Sequence, residues 1–371
     1  PLPPKIIMLS ARRNLECGLL SPTAFRAAET SRRLQNLELS RCQDLEQSHS
    51  SGVNCLSLDP VEGRYLLSGG ADGGLCVHDL FSEYDRVKRT SRVVCKLDRN
   101  EAHRFAVSTV QWYPCDTGLF TSSGMDSELR VWDANALKVA EVLRLGAKVY
   151  SHHLEEAQPT IVALGTGRPW VTLADLRTGI ACQELRGHSG KVLAVRWSPS
   201  AAGLLATASQ DNKVMLWDIR CARGALAALK GHSGAATSLA FLPDGLVLFS
   251  LGADNRLRAW DIARRRELHF FGAIVPNERP VQMAISSEVM LVPSGRRLLA
   301  MDFRDDGGIS SLKGAHFGQA NCVLLCPLTL EAYSGAMDHT ILCWTANPDK
   351  ERAMDDHQDG LPDAWSSDEE M

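Results

Sequence analysis

The stretch Leu205 to Arg220, LATASQDNKVMLWDIR, alternates small and apolar residues, breaks at Asp211-Asn212, alternates again and closes on Trp217-Asp218. Two alternating runs on either side of an Asp-Asn pair form a hairpin, with the polar pair at the turn. The same phrase recurs as LLSGGADGGLCVHD ending at Asp79, FTSSGMDSELRVWD at Asp133, LFSLGADNRLRAWD at Asp261 and AYSGAMDHTILCWT at Thr345. Two worn copies, ALGTGRPWVTLAD and VMLVPSGRRLLAMD, end at Asp175 and Asp302.

From Asp133 to Asp175, Asp218 and Asp261 the steps are 42, 43 and 43 residues, and the interval from Asp261 to Thr345 holds two more units. The first step, from Asp79 to Asp133, is longer and implies an insertion around Ser82 to Lys88. A period near forty with a Trp-Asp ending is the signature of WD repeats, and seven copies predict an all-β, seven-bladed propeller occupying residues 31–347. Such a ring is first of all a surface for binding partners.

His49, His103, His188, His232 and His316 each precede a turn aspartate, Asp72, Asp126, Asp211, Asp254 and Asp338, by 22 or 23 residues, and each aspartate precedes the Trp position by six. The spacing predicts a buried set of His, strand hydroxyl, turn Asp and strand Trp that satisfy one another's hydrogen bonds, in the fourth repeat His188, Ser209, Asp211 and Trp217. His, Ser and Asp in one unit resemble a hydrolase triad. Recurrence in five of seven repeats argues for architecture instead, since a catalytic constellation has no reason to recur. No catalytic residue, cofactor or metal site is expected, and the chain is expected not to be an enzyme. The eleven cysteines are scattered singly without a C-x-x-C pair, which suits reduced core residues better than a zinc site.

No apolar run reaches the length of a membrane-spanning helix. Net charge is −4, but Asp349 to Met371 holds nine acidic and two basic residues, so the rest of the chain is slightly basic. Residues 348–371 therefore read as an acidic disordered tail. At the other end, residues 1–30 read as a helical segment outside the ring. Met8 to Cys17 and Phe25 to Arg33 form two short helices whose apolar side (Met8, Leu9, Leu15, Leu19, Phe25) must be buried on the propeller or in a partner. The alternation in Arg33 to Leu39, RLQNLEL, predicts that this segment closes the ring by completing the last blade, since an open edge strand invites aggregation.

Only the fourth repeat ends Trp217-Asp218-Ile219-Arg220; the third offers the weaker Ala174-Asp175-Leu176-Arg177. This ending resembles the WD-x-Arg box of propellers that serve as substrate receptors of cullin-RING ubiquitin ligases. The segments LSARRN (from Leu9), EGRYLLSGGADG (from Glu62), VQWYPCDTGLFTSS (from Val110), VYSHH (from Val149) and DAWSSDEE (from Asp363) are similar to the Cockayne syndrome group A family of such receptors. The resemblance runs along essentially the whole chain from Met8 and departs in the sixth blade and around Ala315. It implies a nuclear protein of transcription-coupled nucleotide excision repair. The implied partners are the large subunit of the UV-damaged-DNA-binding protein as adaptor, the cullin-RING ligase core, the Cockayne syndrome group B protein, the UV-stimulated scaffold protein A and RNA polymerase II. By position, Arg220, Asp218, Leu9, Arg12 and Leu15, with Arg177 as a weaker candidate, would touch the adaptor.

Trp170, Phe270 and Phe271 are candidate anchors for a partner on the face opposite Arg220. Two alternatives differ in kind. One is an assembly scaffold with no ubiquitin role. The other is a propeller that binds damaged DNA directly, against which the turns on the Asp211 side count, because they mix acids and bases rather than clustering Lys and Arg. No direct nucleic-acid binding and no membrane association are expected.

Overall fold

The fourth repeat folds as its alternation requires: β14 (Val192–Trp197), β15 (Leu204–Ser209), β16 (Lys213–Asp218) and β17 (Ala225–Lys230) form one antiparallel sheet. Leu205 pairs with Trp217 across the hairpin, and Lys213 with Lys230 on its outer side. The computed structural model describes residues 30, 32–34, 36–81, 89–221, 224–268, 280–303, 309–312 and 316–346, and within them four further four-stranded sheets and one eight-stranded sheet that holds two blades complete a seven-bladed β-propeller of WD40 repeats. The expected N-terminal helices up to residue 29, the insertion at 82–88 and the acidic tail lie outside the described residues.

Each turn aspartate is followed by a residue with positive φ: Gly73, Ser127, Asn212, Asn255 and His339. A two-residue hairpin turn needs that left-handed geometry, and Gly and Asn adopt it at least cost. The aspartate carboxylate then accepts backbone N–H groups from the turn, as Asp211 does from Lys213 at 3.1 Å.

Apolar side chains on the two faces of each sheet are buried against the neighbouring blades. The core is accordingly divided into seven clusters, one at each blade interface. Trp217, for instance, packs with Leu173, Val195, Leu205 and Met215 between the third and fourth blades.

Closure differs from the sequence expectation. The strand that completes the last blade is β1 (Glu38–Leu45), not Arg33 to Leu39. It pairs antiparallel with β28 (Ile341–Thr345) through Glu38 with Thr345 and Leu39 with Trp344. It also pairs in parallel with β5 (Arg89–Leu97) of the first blade, from Gln43 with Arg89, which joins first and last blades into one eight-stranded sheet. Arg32 to Leu34 is a helical turn instead. Leu34 at its end and Leu37 beyond it both sink into the core against Val289, Leu298 and Trp344.

Candidate functional site

The recurrent polar set is built much as its spacing requires. In the fourth blade His188 Nδ1 bonds the Asp211 carboxylate at 3.0 Å and Nε2 bonds the Thr207 hydroxyl at 2.8 Å. The Trp217 indole N–H donates to the same hydroxyl at 2.9 Å. The hydroxyl is thus Thr207 and not Ser209, which sits at the strand end and accepts the Asp211 N–H at 3.2 Å. The two residues share a face of β15, but only the deeper one can reach both rings. Ser122, Ser250 and Ser334 take the same place in their blades, each bonded to a His and a Trp. In the first blade His78 replaces the Trp.

Electrostatics agree with a structural role. Burial pushes the rings of His188, His232 and His316 below the ordinary value despite the carboxylate beside each. Burial acts in the opposite sense on Asp211, but the Ser189 N–H and His188 outweigh it and keep the carboxyl below its usual range. Each hydroxyl oxygen is buried inside the sheet between a histidine ring and an indole, or in the first blade between two histidine rings. Among the described residues no group of His, Cys, Asp and Glu is arranged to hold a metal ion, and no helix is long and apolar enough to cross a membrane.

Two faces remain for binding. Along each blade the turn holding the aspartate lies at one end and the connection after the third strand at the other, so Asp211 and Arg220 are on opposite faces of the disc. Arg220 is exposed, its side chain at 69%. Its guanidinium Nε and Nη2 each donate to the Asp218 carboxylate at 2.9 Å, and its backbone N–H bonds Asp218 at 3.0 Å. The head is therefore oriented by its own motif rather than free, with Nη1 and the outer edge left facing solvent. The arginine draws Asp218 below the usual carboxylate range.

Gly203 provides the seat. Its φ is +78°, and a Cβ there would lie within 3.5 Å of Ile219 and the Arg220 side chain. Its N–H donates to buried Glu155 of the preceding blade at 2.6 Å. Arg177 repeats the arrangement more loosely, 3.8 Å from Asp175. Leu9, Arg12 and Leu15 lie outside the described residues.

On the Asp211 face, Trp170 is half-buried, with Arg168 and Arg186 each 5.4 Å from its ring centroid. It does not project as an anchor. Phe270 and Phe271 lie outside the described residues. Two aromatic residues that sequence reasoning passed over do project: Phe317, 85% exposed, and Phe105. Phe317 follows a structural His where three other repeats have Ser50, Ser189 and Ser233, and its backbone N–H makes the same bond to the turn aspartate, at 2.8 Å. The signal was an apolar residue at a position whose backbone alone is needed.

Residues 40–79, 94–133, 179–218 and 224–261 match the WD domain, G-beta repeat. The chain is similar to the WD repeat-containing protein ATCSA-1 of Arabidopsis thaliana, 27% identical over 91% of this chain and 95% of that protein. A ribosome biogenesis protein WDR12 homolog of Nematostella vectensis is 33% identical, over 58% of this chain and 56% of its own length. A protein transport protein SEC31 of Chaetomium globosum is 28% identical, over 48% of this chain and 15% of its own length.

Proposed function

From the premise that the chain is a seven-bladed propeller of WD40 repeats, a fold that generally serves as a non-catalytic scaffold, we propose that it is the substrate-recognition subunit of a cullin-RING ubiquitin ligase. Its setting is transcription-coupled nucleotide excision repair in the nucleus. The Arg220 face docks the adaptor, the large subunit of the UV-damaged-DNA-binding protein, together with the N-terminal segment around Leu9, Arg12 and Leu15. The Asp211 face takes repair and transcription proteins: the Cockayne syndrome group B protein, the UV-stimulated scaffold protein A and RNA polymerase II.

The observation that carries this reading is the exposed, pre-oriented guanidinium of Arg220. A rim arginine that merely tied blades together would be turned inward. This one is held by Asp218 over Gly203 with its outer edge open to a partner's carbonyls or carboxylates. Similarity over nearly the full length to the WD repeat-containing protein ATCSA-1 supports a protein-interaction role for the whole ring.

The chain's contribution is proximity. Holding a target on one face and the ligase core on the other raises the effective concentration of target lysines near the ubiquitin-loaded enzyme. No group on this chain has to break or form a bond.

Arg220→Ala should abolish co-purification of the adaptor while leaving the circular dichroism spectrum and melting temperature unchanged. Undiminished recovery of the adaptor would remove Arg220 from that contact, and no recovery by the native chain would point to an assembly scaffold without a ubiquitin role.

A further inference from the structure

The axis of the disc is a narrow channel walled by the innermost strands. In six blades that strand carries a register shift at its second residue, for example between Val149 and Ser151 and between Val192 and Ala194. Bulges of this kind re-aim side chains, here toward the axis. They enclose a cavity of about 70 Å³ whose wall is rich in hydroxyls, including Thr109, Tyr150, Ser151 and Ser238. One lining residue is charged, Arg196, the fifth residue of β14, and none is an Asp or Glu.

Arg196 differs from the arginines of the ring that sit in ion pairs. Arg64, Arg130 and Arg220 each face a carboxylate within 3 Å. The Arg196 guanidinium makes one hydrogen bond among the described residues, from Nη1 to the carbonyl of Val195 at 3.2 Å. A guanidinium has five N–H donors, so four stay without a protein acceptor.

Burial lowers its pKa to about 10, which still leaves it cationic at neutral pH. Its titratable neighbours His152 and His153 are kept neutral, first by burial and then by Arg196 itself, and supply no negative charge. One flank of the arginine opens on the cavity while the rest is enclosed by the disc. A half-buried charge with no counter-charge among the described residues favours an anion, and hydroxyls plus a planar fork match the oxygens of a small one.

We propose that the central channel is an oxyanion site, in which one carboxylate or phosphate-sized group is held by Arg196 with the hydroxyls of Tyr150 and Ser151. Neither hydroxyl has a hydrogen-bond partner among the described residues, so both can donate. The cavity is too small for a nucleotide base, a cation would be repelled by Arg196, and an apolar group would leave the wall's donors unsatisfied. Two sources share this chemistry: a free anion from solvent, and an acidic side chain of a bound protein segment reaching into the channel. The inference stands independently of the ligase reading.

The test uses the full chain, melted in inorganic phosphate against chloride at equal ionic strength, and titrated with a fluorescent hexaglutamate peptide. Phosphate should raise the melting temperature, or the peptide should bind, in the native chain. Either response should vanish in Arg196→Met and weaken in Arg196→Lys and Tyr150→Phe, which carry the comparison if the Met variant fails to fold. A phosphate response alone assigns the free anion, and a peptide response identifies a docked acidic side chain. The idea is overturned if the native chain responds to neither, or if the variants respond as strongly as the native chain.

Discussion

Thr207 shows how much one hydroxyl can hold in place. Its oxygen joins His188 from one connection and Trp217 from the next strand, so removing it leaves two buried donors or acceptors unsatisfied at once. Thr207→Val, which keeps the shape, should cost about 1–3 kcal/mol in urea unfolding. Ser209→Ala should cost less, because Ser209 serves a turn N–H at the sheet's end. Equal losses would mean that the shared hydroxyl has no special weight. At this scale the sequence was legible as a spacing rule but not as an atom. Residues 207 and 209 point the same way from β15, and only depth in the sheet separates them. The same limit applies to Arg220: its exposure could be read from its position after the third strand, whereas its fork on Asp218 could not.

Among the elements, β1 decides whether the ring is closed. It is the only strand pairing with both the last blade and the first among the described residues, and the segment before it inserts Leu34 and Leu37 between the sixth and seventh blades. Leu34→Ala should therefore behave as a core truncation, costing about 2–5 kcal/mol and lowering the melting temperature. A change within a few tenths of a kcal/mol would show the turn to be peripheral. The blades themselves were legible because alternation, turn aspartate and Trp-Asp ending repeat and reinforce one another. The closing strand was not, since it stands alone outside the period.

Over the whole molecule, buried neutral histidines contribute to the response to acid alongside the turn aspartates. Burial holds His78 at about 4 and His152 at about 3, against an ordinary value of 6.5. Above pH 6.5 both rings are neutral whether the chain is folded or not, and neither costs stability. As pH falls below 6.5 the unfolded chain takes up protons that the folded chain refuses, so stability drops through the interval from about 6.5 to about 3. Melting temperature should decline across that interval, and His152→Gln should make the decline shallower; an unchanged slope would contradict the assignment.

The disc's two faces bear the functional account, and hydrogen exchange of the full chain with and without the adaptor measures them most directly. The account predicts slowed exchange at Gly203 and from Asp218 to Cys221, with the turns around Asp211, Asp254 and Asp338 unaffected. Protection confined to those turns, or none anywhere on the ring, would contradict it.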